Sequence, residues 1–177
     1  DLHSFPTRRS SDLEIDDFTR GFRQNTDEVI FDHAAATVTS YSGTTTPTTK
    51  PYYAYYDFSE AIAAANSGYK TASDAGGTEF IPTLNMLEDV SYDTGIVIGD
   101  GSTVKKVTLD LNDHELKSNC NAGTITVKNQ ATLSLVDTGT DPNKKGTIVC
   151  SNSNGYAIHN EGTADINGCD LSAKCDL

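Results

Sequence analysis

Val107-Thr108-Leu109-Asp110-Leu111, Ala131-Thr132-Leu133-Ser134-Leu135 and Gly162-Thr163-Ala164-Asp165-Ile166 read as three copies of one short strand. Thr108, Thr132 and Thr163 share one position, Leu109, Leu133 and Ala164 the next, and Leu111, Leu135 and Ile166 a third. The intervals are 24 and 31 residues. Apolar and polar residues alternate, so a strand would turn the apolar ones inward and the threonines, Asp110, Ser134 and Asp165 outward. The same alignment extends upstream in the last two copies, setting Val127 with Ile158 and Asn129 with Asn160. The two asparagines would then stack as an amide ladder at a turn, a structural role. The seven extra residues of the longer interval match an insertion such as Thr140 to Gly146.

Repeats of this length, with strand-sized alternation and variable loops, mark a β-solenoid. One repeat cannot bury its own apolar side; stacked repeats about 4.8 Å apart bury a continuous column. A β-sandwich also has strands at short spacing, but it does not require like residues in register at successive turns. The expected class is therefore all-β.

Outward from the repeat, the remaining apolar runs fit strands bounded by turn residues: Phe80-Ile81, Leu84 to Leu87 and Gly95 to Ile98, with Val29 to Phe31 and Ala36 to Tyr41 as further short candidates. The spacing predicts a helix over 57–66. Asp57 is the expected N-cap with Glu60 three residues on, and Phe58, Ile62 and Ala65 fall on one face. Gly68 is the expected left-handed residue after it. Ser42 to Pro51 is a Thr/Pro-rich loop or linker. Four cysteines (Cys120, Cys150, Cys169 and Cys175) contain no CxxC pair, which speaks against zinc. They permit two disulfides or four small residues on adjacent turns, with the second favoured.

The net charge is −12. An acidic chain without Lys/Arg clusters is not expected to bind nucleic acid, and no run of about 20 apolar residues suggests a membrane-spanning segment.

The ordered stretches 56–68 (YDFSEAIAAANSG), 84–116 (LNMLEDVSYDTGIVIGDGSTVKKVTLDLNDHEL), 131–137 (ATLSLVD) and 145–173 (KGTIVCSNSNGYAIHNEGTADINGCDLSA) resemble bacterial surface proteins with right-handed parallel β-helices of the pectin-lyase-like type. The resemblance implies a right-handed parallel β-helix fragment whose amino-terminal end is capped by the short helix. It also implies an extracellular place on a bacterial cell surface, as a non-enzymatic adhesin or rigid spacer whose partner would be a host or microbial glycan or a surface protein. Asp113 and Cys169 stand where glycines are usual in that pattern. Residues 1–13 resemble a translated sequencing adapter through every codon. Removing their two arginines and two aspartates from 13 Lys+Arg and 25 Asp+Glu leaves 11 against 23. On that reading the protein proper begins at Glu14, residues 14–55 form an irregular segment with the linker, and residues 56–177 hold the helix and the repeats, with both natural ends expected outside this sequence.

Enzymes of this broad fold use clustered carboxylates, often with calcium, and an arginine or lysine base. The alternative expectation is thus a carbohydrate-active lyase or glycosidase. Its candidates are Asp110, Asp113, His114 and Glu115, then Asp137 and Asp141, then Asp165 and Asp170. Asp113 and Asp137 align across the 24-residue interval, but Gly168 occupies that place in the third copy and no arginine aligns at all. Carboxylates that solubilise an outer surface are the simpler account. His33, His114 and His159 occupy no equivalent positions, no GxSxG or phosphate-binding loop occurs, and Tyr52, Tyr53, Tyr55 and Tyr56 fit a cap better than a sugar platform. No catalytic, cofactor-binding or metal-ligating residue is therefore assigned from sequence.

Overall fold

The computed structural model describes residues 34–41 and 52–173. The expected strand at Val29 to Phe31, the adapter-like segment, the linker at 42–51 and Cys175 lie outside them. Thirteen strands and one helix are described: β1 (Ala36–Thr39), β2 (Tyr52–Tyr55), α1 (Phe58–Gly68), β3 (Thr83–Met86), β4 (Val90–Ser91), β5 (Ile96–Ile98), β6 (Lys105–Asp110), β7 (Glu115–Ser118), β8 (Ile125–Val127), β9 (Ala131–Val136), β10 (Thr147–Cys150), β11 (Ile158–Asn160), β12 (Thr163–Asn167) and β13 (Asp170–Ala173).

These strands form three sheets, ordered β12-β9-β6-β3-β1-β2, β13-β10-β7-β4 and β11-β8-β5. From β3 onward the chain visits the three sheets in constant rotation, and every pair of neighbours is parallel. Each of the three full rungs therefore adds one strand to each sheet, and β12 and β13 extend the first and second sheets by one more. Inward residues lie over one another: Leu84, Leu109, Leu135 and Ile166 in the first sheet, Val90, Leu116, Ile148 and Leu171 in the second, Ile96, Ile125 and Ile158 in the third. In the middle rungs these side chains are fully buried.

The register differs from the one read off the repeat. Thr132 does oppose Thr163, Leu133 Ala164 and Leu135 Ile166. Between β6 and β9, however, Leu109 opposes Leu135 and Val107 opposes Leu133, two residues from the expected alignment. Ile158 likewise opposes Ile125 rather than Val127. A slip of two leaves every side chain on its expected face, so alternation alone cannot detect it. The asparagine ladder falls with it: Asn160 opposes Val127. Asn129 and Asn160 each accept a local backbone N–H instead, from Gln130 and Gly162. The insertion lies where expected, in the long connection between β9 and β10.

The amino-terminal end is closed by a small cap. β1 pairs antiparallel with both β2 and β3, extending the first sheet. The sequence carried no separate strand signal at Tyr52–Tyr55. Tyr55 is buried and Tyr53 packs against the core, the cap role expected of them, whereas Tyr56 is exposed. Helix α1 buries Phe58, Ala61, Ile62 and Ala65, the expected face. Its Asn66 side chain donates to the Val97 carbonyl (2.8 Å) and accepts from the Gly99 N–H (2.8 Å), clamping the backbone around β5. Gly68 is not left-handed as expected; it is the last helical residue, and the chain leaves through Tyr69 with φ −59° and ψ 134°.

Asp57 caps the helix by accepting from the Ser59 N–H at 2.8 Å. The Ser59 hydroxyl, then its N–H, hold the Asp57 carboxyl below its usual 3.8. A depressed folded pKa stabilises above the unfolded value and loses that contribution as pH falls through the folded one. Asp57→Ala is expected to cost about 1 kcal/mol at neutral pH, and its deficit should shrink as pH falls below about 4, the ordinary carboxylate range. Thermal melts of both proteins across an acid series measure this.

Candidate functional site

The corner between the first and second sheets gathers four of the sequence candidates. Asp110 ends β6 and is 7% exposed, not turned to solvent as expected. Its carboxylate accepts from the N–H groups of Asn112 (3.1 Å) and Thr138 (2.9 Å) and from the Thr138 hydroxyl. Asp137 takes the Asp113 N–H (2.8 Å) on one oxygen and the Gly146 N–H (2.7 Å) on the other. Asp113 takes the Asp141 N–H at 2.8 Å. The rungs are thus stapled by carboxylates that reach the backbone of a neighbouring rung or loop. Asp113 has φ 66°, in the left-handed region that favours glycine. At Asp113 the bond to Asp141 offsets the strain.

Asp113 and Asp137 do not stack as their alignment suggested, since the strands pair two residues off that alignment; they meet only through the Asp113 backbone amide. Calcium requires six to eight converging oxygens, and these oxygens are turned to N–H donors. Among the described residues no group of three or more His, Cys, Asp or Glu could hold a metal. The other candidates stand apart. His114 and the Glu115 N–H both meet Asp89 (3.2 and 2.9 Å). Asp170 pairs with Lys145. Asp165 lies exposed on β12, and His159 stacks on Tyr156. Cys150 donates its thiol to the Cys120 carbonyl from an adjacent rung; Cys120, Cys150 and Cys169 are all free.

Asp137→Ala is expected to cost about 2 kcal/mol, because two amides lose their acceptor, whereas Asp137→Asn keeps one acceptor oxygen and should cost less. Urea denaturation of the two variants tests the staple.

One cluster had no sequence signal, because its members come from distant segments. Lys106 meets both oxygens of Glu79 (2.9 and 2.8 Å), and Tyr69 donates to Glu79 at 3.0 Å. The Glu79 bond raises the Lys106 pKa; burial, then the Glu79 bond, raises that of Tyr69. A lysine or tyrosine base needs the opposite shift, so the cluster is suited to anchoring the loop before β3 against β6.

Among the described residues two concave surfaces stand out. A groove of about 770 Å³ between α1 and the β1–β2 pair is lined by Tyr41, Tyr53, Tyr55, Glu60, Ser67 and Lys70 among others. A second, of about 460 Å³ and wide open, lies beside β4, with Tyr56, Tyr92, Asp57, Glu88 and Asp89 in its wall. Tyr56 is 48% exposed there. Aromatic faces beside carboxylates can stack on a sugar ring and accept its hydroxyls.

Comparison with family models, with curated proteins and with solved structures gave no match. Among the described residues no helix is long and apolar enough to cross a membrane.

Proposed function

We propose that this chain is part of an extracellular bacterial surface protein, a right-handed parallel β-helix serving as a rigid spacer or adhesin without catalytic activity. One observation carries the reading. The carboxylates that would make an active site on a stacked-sheet protein are spent on backbone amides at the corner, where they hold the rungs together. Rungs tied in this way resist bending and shear, which is what a spacer requires. The acidic charge suits an exposed, soluble segment.

The open wall containing Tyr56, Glu88 and Asp89 favours the adhesin branch, with a glycan as partner. Binding to a glycan panel that falls at least tenfold in Tyr56→Ala would support it, while binding to none would leave the spacer. The enzyme alternative predicts cleavage of polysaccharides, read as released reducing ends or unsaturated products. Cleavage that disappears in both Asp113→Ala and Asp137→Ala, with the fold retained, would overturn the non-enzymatic reading.

A further inference from the structure

The corner between the second and third sheets holds two cysteines that no staple or anchor uses. β7 and β10 pair in parallel as far as Ser118 and Cys150. Beyond the strands the two chains stay side by side. The Ser151 N–H and hydroxyl both donate to the Ser118 carbonyl (2.8 and 2.9 Å), and the Asn152 side chain donates to the Asn119 carbonyl (3.2 Å). This course carries Cys120 alongside the end of β10, where the Cys150 Sγ lies 3.5 Å from the Cys120 carbonyl oxygen. Cys150 is buried and Cys120 half-buried. Gly155 closes the same corner: a Cβ on it would stand 2.3 Å from the Cys120 carbonyl oxygen and 2.4 Å from the Cys150 Sγ. One thiol is thus shielded, and the residue beside it is open to solvent. Cys169 stands elsewhere, in the turn between β12 and β13, where burial pushes its thiol up.

We infer that Cys120 and Cys150 are a site of thiol–disulfide exchange that takes a small-molecule disulfide and closes to a cross-link between successive rungs. The Cys120 thiolate attacks one sulfur of the small disulfide; that S–S bond breaks and the first small thiol leaves with the electron pair and a proton. The Cys150 sulfur, giving its proton to solvent, then attacks the Cys120 sulfur of the mixed disulfide and expels the second small thiol. Two protein thiols lose two protons and two electrons, and the small disulfide takes both to become two thiols. The accessible cysteine is attacked first and the shielded one resolves, the order that their exposures dictate. A sulfur already in contact with the main chain of the other cysteine brings the pair within the short reach that a disulfide demands. The bond spans 30 residues of sequence and so restrains the unfolded chain. The chemistry is the same whether the stack serves as a spacer or as an adhesin.

The reduced 177-residue chain is incubated with oxidised glutathione without denaturant, its remaining thiols are alkylated, and the intact mass and a non-reducing peptide map are recorded. The expected result is a fall from four thiols to two, a mass lower by two hydrogens before alkylation, and one linked peptide pair containing Cys120 and Cys150. The urea midpoint of the linked chain should rise above that of the reduced one. Cys150→Ser should stop at a glutathione adduct on Cys120, Cys120→Ser should leave Cys150 unreacted, and Cys169→Ser should change nothing. The peptide map of the unsubstituted chain decides the matter even if a serine variant does not fold. Glutathione adducts without the link, a link to Cys169 or Cys175 instead, or a link that forms only in urea would each overturn the inference. A midpoint that does not rise marks a bond the fold must be bent to form, and overturns the preformed pair.

Discussion

Replacing Leu109 by alanine is expected to destabilise the protein by about 3 to 4 kcal/mol, the range for a leucine removed from a well-packed core. Leu109 is fully buried, with Leu84 stacked on one side and Leu135 on the other. The ladder hydrogen bonds set the distance between rungs, so neighbours cannot collapse into the space a missing isobutyl group leaves. The loss is a large part of the roughly 5 to 15 kcal/mol that a domain commands. Ile166→Ala is the comparison. It occupies the same column one rung beyond Leu135 but is 42% exposed, so in dilute solution it should cost less than about 1 kcal/mol. Urea denaturation at low protein concentration measures both. Equal losses at the two positions would contradict a column buried in the middle and open at the end.

Gly95→Ala should be at least as damaging. Gly95 lies in the turn between β4 and β5 with φ 67°. A Cβ there would sit 2.2 Å from the Gly123 carbonyl oxygen and 3.3 Å from that of Thr124. Those atoms belong to the backbone of the next rung, held by the Ile96 N–H on the Thr124 carbonyl at 2.8 Å, and cannot swing aside as a side chain would. Strain and overlap together are expected to cost about 3 kcal/mol or more. Gly101→Ala separates the two causes. Its φ is 82°, but nothing lies within 4 Å of the added carbon, so only the conformational cost of about 1 kcal/mol applies. A melt of Gly95→Ala no worse than that of Gly101→Ala would refute the close approach of the rungs.

The helix and the candidate site were legible to different degrees. Asp57 followed by Phe58, Ile62 and Ala65 specifies a short helix with one buried face, and that helix is present with its carboxylate cap in place. The antiparallel strand β2 was not legible, because Tyr52 to Tyr55 alternates weakly and gains its meaning only by pairing with β1. The alignment set Asp113 over Asp137, whereas the strands pair two residues off it, and neither that offset nor the direction of the carboxylate oxygens was legible. Whether a carboxylate meets a cation, water or an amide depends on the backbone opposite it. Here that backbone belongs to Asp113, in the turn after β6, and to Asp141 and Gly146, in the long loop after β9.

By itself the sequence determined that this is a strand-rich protein of stacked repeats and which residues face inward, since side-chain alternation follows from the two-residue pleat. Tertiary structure alone decided the partners. Leu109 lies over Leu135 rather than Leu133, and Asn160 over Val127 rather than Asn129. A shift of two residues preserves every face. The choice between registers is made by the turns, the ladder hydrogen bonds and the fit of neighbouring rungs, none of which exists until the chain has folded back on itself.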